Sequence, residues 1–213
     1  MRYLCVALWM TASAAFAQIH PSADQVRPLL PGMHAPRVQF IDSGGNTVRL
    51  DPEKMRKPVV LTFYRGGWCP YCNLHLAELR GVEAELRRMG FEVWFASPDR
   101  PELLVEGDQA GLGYRLLSDP GLKAAQAFGI AFRLDTDTVE RLAQSGMDIN
   151  ARASEPLNAL PVPATFLIGT DGVIQFSYVN PDYTVRLDPE VLKAAASAWL
   201  HRSDRRLKTG KPR

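Results

Sequence analysis

Leu61-Thr62-Phe63-Tyr64-Arg65-Gly66-Gly67-Trp68-Cys69-Pro70-Tyr71-Cys72 runs from an apolar, β-rich segment through two glycines into a Cys-x-x-Cys pair at the head of a helical pattern. A helix N-terminus presents unpaired backbone N–H groups and the positive end of the macrodipole. A sulfur held there is stabilised as thiolate, the form that attacks peroxides and disulfides. Pro70 suits the first turn, where its missing N–H costs nothing. The spacing brings both sulfurs within one turn, close enough to close into a disulfide.

Outward from this stretch, the sequence predicts a strand, a helix and a second strand. Val59 to Tyr64 is a continuous apolar run of the kind covered on both faces in the middle of a sheet. After Cys72, the residues Cys72, His75, Leu79, Val82, Leu86 and Met89 share one helical face, and Gly90 ends the helix. Phe91 to Ala96 is the second buried strand, and Ser97-Pro98-Asp99-Arg100-Pro101 leaves it as a loop. Such a unit obliges its strands to run parallel with a right-handed crossover, which places the cysteines at the carboxyl end of a parallel strand.

The remaining segments are predicted in the same way. Gln18 to Pro31 reads as an extended lead-in, and Val38 to Leu50 as a β-hairpin turning at Ser43-Gly44-Gly45-Asn46. Glu102 to Gln109 reads as a short helix, Tyr114 to Leu117 as a strand, Asp119 to Ala127 and Asp135 to Gln144 as helices. Ser145 to Leu160 reads as a lid or loop over the site. Ala164 to Ile168 and Val173 to Tyr178 form a terminal hairpin around Gly169-Thr170-Asp171-Gly172, and Asp188-Pro189-Glu190 opens a closing helix through Leu200. The expected domain is residues 31–200, preceded by the lead-in 18–30 and followed by a basic tail, 201–213.

A chain of 213 residues with 46% apolar and 9% aromatic content holds one well-buried domain. Residues 1–17 read as a signal peptide: Arg2 precedes the apolar run Leu4 to Met10, and Ala15-Phe16-Ala17 supplies the cleavage pattern. The run is short of the roughly 20 apolar residues a membrane span needs. The expected mature chain starts at Gln18, is exported to the periplasm or secreted, and keeps only Cys69 and Cys72 once Cys5 is removed. Two cysteines at this spacing in a disulfide-permissive compartment point to a redox pair. Without Arg2 the formal charge of +2 falls to +1; residues 202–213 carry +5, which leaves −4 for residues 18–201. The basicity is therefore a tail, and no nucleic-acid partner is expected.

The order of elements, with the Cys-x-x-Cys pair after the first central strand and Val162-Pro163-Ala164-Thr165 before a terminal hairpin, resembles the thioredoxin-like α/β fold, a central mixed sheet flanked by helices. The opening Pro31-Gly32, Ala35-Pro36, the strand end Phe63-Tyr64 and Ser97-Pro98-Asp99 resemble the peroxiredoxin branch, the alkyl hydroperoxide reductase and thiol-specific antioxidant family. The family motif Pro-x-x-x-Thr-x-x-Cys puts Arg65 at its proline, Cys69 at its threonine and Cys72 at its peroxidatic cysteine. Pro163 stands where a second family arginine is expected, and Val162-Pro163 is similar to the cis-proline of thioredoxins that faces the dithiol.

The resemblance implies a thiol-dependent peroxidase without cofactor or metal, taking a hydroperoxide substrate and an external thiol reductant such as a thioredoxin-like protein. In that cycle Cys72 attacks and Cys69 resolves. Arg65 stabilises the thiolate, unless it is a solvated loop charge. The alternative is a thiol–disulfide oxidoreductase, in which Cys69 attacks and Cys72 resolves. Trp68, Pro70, Tyr71, Pro163 and Thr165 are the expected supporting residues. His75 reads as a core histidine more readily than as a thiol-tuning group. A Cu(I)-binding module is a third reading; zinc lacks further ligands, and Asn73 after Cys72 departs from the c-type haem motif.

Overall fold

The computed structural model describes residues 18–104 and 113–209, with side chains to 202. The predicted signal peptide and most of the predicted helix at 102–109 lie outside the described residues; the described part of that helix is a 3₁₀ turn, Pro101–Leu103.

Among the described residues nine strands form: β1 (Val38–Asp42), β2 (Thr47–Leu50), β3 (Val59–Phe63), β4 (Glu92–Ser97), β5 (Tyr114–Ser118), β6 (Ala131–Arg133), β7 (Ala159–Pro161), β8 (Ala164–Ile168) and β9 (Ile174–Val179). Between and after them lie α1 (Pro70–Arg88), α2 (Lys123–Ala127), α3 (Thr136–Gln144), α4 (Ile149–Arg152) and α5 (Pro189–Thr209). Seven strands make one mixed sheet in the order β2-β1-β5-β4-β3-β8-β9, and β6 pairs with β7 in a small second sheet. The pairs β3–β4 and β4–β5 are parallel, as the strand–helix–strand reading requires, while β3–β8, β8–β9, β1–β2 and β1–β5 are antiparallel.

The period of two in β3 explains its uninterrupted apolar sequence. Val59, Leu61 and Phe63 point into one core with Phe40, Trp94, Phe128 and Phe166, whereas Val60 and the following Tyr64 point into a second core under α1 and α5. In α1 the face carrying Cys72, His75, Leu79, Val82 and Leu86 is buried against that second core. Both sulfurs are thus anchored from the sheet side as well as along the helix.

Three segments differ from the sequence reading. Residues 18–30 are a packed element rather than only an extended lead-in: His20 bridges Phe132, and the amides of Arg27 and Leu29 bond the carbonyls of Gly129 and Phe128, at 3.0 and 3.2 Å. Ile19, Ala23, Val26 and Leu29 pack on the core, because every third or fourth residue of this proline-broken stretch is apolar. Residues 131–160 hold β6, α3, α4 and β7 rather than ending in a bare loop. The closing helix continues past Leu200 to Thr209, so most of the predicted basic tail begins as helix.

Candidate active site

The loop between β3 and α1 is shaped by glycine. Gly66 has φ +142, and a Cβ there would collide with the Trp68 indole nitrogen. The Gly67 amide donates to Asp99 Oδ2 at 2.7 Å, Asn73 Nδ2 donates to the Gly67 carbonyl at 2.9 Å, and the Cys69 amide bonds the Gly66 carbonyl at 3.1 Å. Asp99 is buried and its other oxygen pairs with Arg152 Nε of α4 at 3.3 Å. The inserted segment therefore braces the loop that carries the thiols.

Cys69 is the N-cap of α1 and Pro70 its first residue. Cys69 lines a cavity of about 420 Å³, with Arg65, Trp68, Pro70, Tyr71 and Pro163 around it and Leu134, Thr138, Leu142 and Met147 as its far wall. Of the larger clefts, two, of about 640 and 610 Å³, lie at the opposite, amino-terminal ends of β3 and β4, and a third, of about 540 Å³, is lined by residues of the segment 18–27, none of them touching a sulfur. Both cysteines are buried, Cys69 1% exposed and Cys72, one turn further along, 0%; of the two, Cys69 lines the cavity. The two thiols are free.

Their acidities diverge. Cys69 is drawn down to about 6 by the hydrogen bond from the Cys72 thiol, with the Cys72 amide and the charges of Arg65 and Arg186 adding to it against the cost of burial. The Cys72 thiol is pushed far up by the hydrogen bond it gives to Cys69 and by burial. A pair with one proton to share therefore keeps it on the inner sulfur.

Arg65 is 7% exposed, so it is no solvated loop charge. Its guanidinium lies over the rings of Tyr183 and Trp68, 4.1 and 5.2 Å from their centroids, and Tyr183 meets Tyr71 edge to face. Arg186, from the connection between β9 and α5, reaches the dithiol itself: Nη2 lies 3.3 Å from Cys72 Sγ and 3.9 Å from Cys69 Sγ. His75 is buried, donates Nε2–H to the Leu187 carbonyl at 3.1 Å, and is held down to about 4 by burial and then by Arg186. It is a neutral core histidine, as its place on the helix face suggested.

Of the sequence-predicted residues, Cys69, Arg65, Trp68, Pro70, Tyr71 and Pro163 share the cavity wall, with Cys72 directly behind. Thr165 stands apart, its hydroxyl 3.1 Å from that of Thr62 across β3 and β8. The Val162–Pro163 bond is trans; among the described residues no peptide is cis, so the thioredoxin-type cis-proline is not reproduced. Arg186 is the residue the sequence reading missed, since 114 positions separate it from Cys72 and it belongs to no motif.

The AhpC/TSA family model matches residues 31–177, a span that takes in the hairpin, the dithiol and β8. The chain belongs to the AhpC/TSA family. A Mycobacterium tuberculosis protein provisionally named a peroxiredoxin is 34% identical over 102 residues, which is 47% of this chain and 64% of that relative. The chain thus spans less than two thirds of that relative's length. A thiol-disulfide oxidoreductase, ResA of Halalkalibacterium halodurans, is 31% identical over 97 residues, 44% of this chain and 54% of the relative. Among solved structures, the peroxidoxin BcpB of Mycobacterium tuberculosis superposes with a TM-score of 0.59 at 21% identity, covering 79% of this chain and 96% of that one. This AhpC/TSA chain therefore has the thioredoxin-like fold expected from its order of elements, N-terminal hairpin included.

Proposed function

We propose that the protein is an exported thiol peroxidase that reduces hydroperoxides through a Cys69–Cys72 dithiol cycle. The observation that carries this reading is the Cys69 thiol at the helix N-cap, opening into an apolar cavity beside the buried Arg65 cation, in a chain of the AhpC/TSA family. The Cys69 thiolate attacks the distal oxygen of the hydroperoxide. The O–O bond breaks, the alkoxide leaves as an alcohol after taking a proton from solvent, and Cys69 becomes a sulfenic acid. Arg65 stabilises the thiolate and the leaving oxygen. Cys72 then closes the disulfide with loss of water, and an external dithiol of thioredoxin-like chemistry restores the pair.

This order departs from the one the family motif implies, which places first attack on Cys72. It rests on access and acidity: Cys69 meets the cavity and holds its charge cheaply, whereas Cys72 does neither. The test is hydroperoxide consumption coupled to a thioredoxin system. Cys69→Ala abolishes turnover, while Cys72→Ala gives one equivalent of consumption and a sulfenic acid on Cys69 that dimedone traps. A sulfenic acid trapped on Cys72 in the Cys69→Ala variant reverses the assignment.

A second reading is favoured by the Cys-Pro-Tyr-Cys sequence at an N-cap beside Pro163 and by the ResA relative: Cys69 attacks a protein disulfide and Cys72 resolves it. Catalysed reduction of insulin disulfides without any peroxide consumption selects it.

A further inference from the structure

Residues 180–188 fold back over the first turn of α1 as a strap. Side-chain-capped turns shape it: the Asp182 amide bonds Asn180 Oδ1 at 3.0 Å and the Thr184 amide bonds Asp182 Oδ1 at 2.9 Å. Behind Arg186, Leu187 is buried and its carbonyl is held by His75. The guanidinium is thereby aimed at the sulfurs, closer to Cys72 Sγ at 3.3 Å than to Cys69 Sγ at 3.9 Å. Its Nε and Nη1 are buried without a hydrogen bond, and no carboxylate pairs with it among the described residues. A cation desolvated in this way is stabilised only when an anion stands opposite, and the groups opposite are the two sulfurs: Cys69, the anion of the reduced pair, at 3.9 Å, and the nearer Cys72 at 3.3 Å.

The other groups around Cys72 do not supply that charge balance. Tyr64 is pushed well above its ordinary range by burial and stays protonated, and His75 is neutral. Asp99 is engaged by the Gly67 amide and Arg152, and Arg65 faces Cys72 through its backbone amide while its guanidinium stacks on Tyr183 and Trp68. The cation directed at the inner sulfur is Arg186.

We propose that Arg186 is a catalytic residue whose main task is to hold the negative charge that Cys72 acquires when the disulfide closes and when it is reopened. In closure, the Cys72 proton passes to the departing hydroxyl of the Cys69 sulfenic acid, the S–O bond breaks, the S–S bond forms and water leaves. In reopening, a thiolate of the external dithiol attacks Cys69 Sγ from the cavity, the S–S bond breaks and Cys72 departs as thiolate beside Arg186. The second thiol of the reductant then displaces Cys69 as thiolate and leaves as the reductant's own disulfide. The closure step rests on the peroxidase reading; the reopening step applies to any dithiol exchange at this site.

Two measurements test the proposal. In a Cys69→Ala background, the ultraviolet thiolate absorbance of Cys72 is titrated with Arg186 intact and with Arg186→Gln. Loss of the charge raises the Cys72 midpoint by about one to three pH units, and Arg186→Lys restores part of the shift. With both cysteines present, Arg186→Gln lengthens the life of the dimedone-trappable Cys69 sulfenic acid about tenfold or more, and slows its formation far less, as expected from the loss of a charged group beside the buried sulfur. An unchanged Cys72 titration, or equal slowing of formation and closure, overturns the proposal. Absence of peroxide consumption by the unmodified protein defeats the peroxidase reading alone, because the titration still decides the role of Arg186.

Discussion

Cys69 and Cys72 show how two identical side chains three positions apart acquire opposite acidities. The outer sulfur receives a thiol hydrogen bond and a helix-terminal amide, while the inner one gives that bond away and is sealed by Leu79, Tyr64 and Leu187 in the same core. Because the Cys69 acid is strengthened, its thiolate is present above about pH 6 and lost below it. Alkylation of the reduced protein by iodoacetamide should therefore fall with a midpoint near pH 6. Cys72→Ala removes the largest cause and moves the midpoint toward the ordinary thiol value of about 8.5. Gly66 offers a second test. Alanine there must displace Trp68, which covers Arg65, so Gly66→Ala should slow Cys69 alkylation at neutral pH and cost about 1 kcal/mol or more in denaturant unfolding. At this scale the dithiol, Arg65, Trp68 and Pro163 were legible because they belong to recurrent local patterns. Arg186 was not, because its role depends on a strap that returns to α1 only in the folded chain.

Elements with a strong period were legible for the same physical reason that they form. The alternation of β1 and β2, the unbroken apolar run of β3 and the one-sided face of α1 each state which surface is buried. The three-residue strands β6 and β7 are too short to carry a period, and they exist because Ala131 and Arg133 face Pro161 and Ala159 across a long connection. The lead-in was illegible because its order comes from backbone bonds to residues 99 to 113 positions away. The start of α2 makes a testable case of capping. Buried Asp119 accepts the Ala124 and Ala125 amides at 2.8 Å each, so Asp119→Ala leaves two buried donors unpaired and should cost about 1–3 kcal/mol for each. Complete burial raises the Asp119 carboxyl from 3.8 to about 7. The folded state then binds its proton more tightly than the unfolded chain, so the stability due to this group is fullest below about pH 4 and declines as pH rises through 7. The difference in denaturant midpoint between the unmodified protein and Asp119→Ala should accordingly narrow across that interval.

For the whole molecule, the thiols lie at the carboxyl ends of the parallel strands, while Trp199 of α5 packs on Phe91 beside the amino-terminal end of β4. Export, proposed from the leader-like residues 1–17, is checked by expressing the full chain and sequencing the N-terminus of the extracytoplasmic product; Gln18 is the expected first residue. The cavity has a mixed origin. Its thiols and Arg65 belong to the β3–α1 unit, whereas Leu134, Thr138, Leu142 and Met147 come from a segment outside the seven-stranded sheet. Acidity is thus built by one part of the chain and admission by another. The two properties can drift separately: on the proposed peroxidase reading, a bulkier residue at Leu142 should change which hydroperoxides enter while the Cys69 alkylation midpoint stays near 6, so that access can be rewritten without touching the reacting atoms.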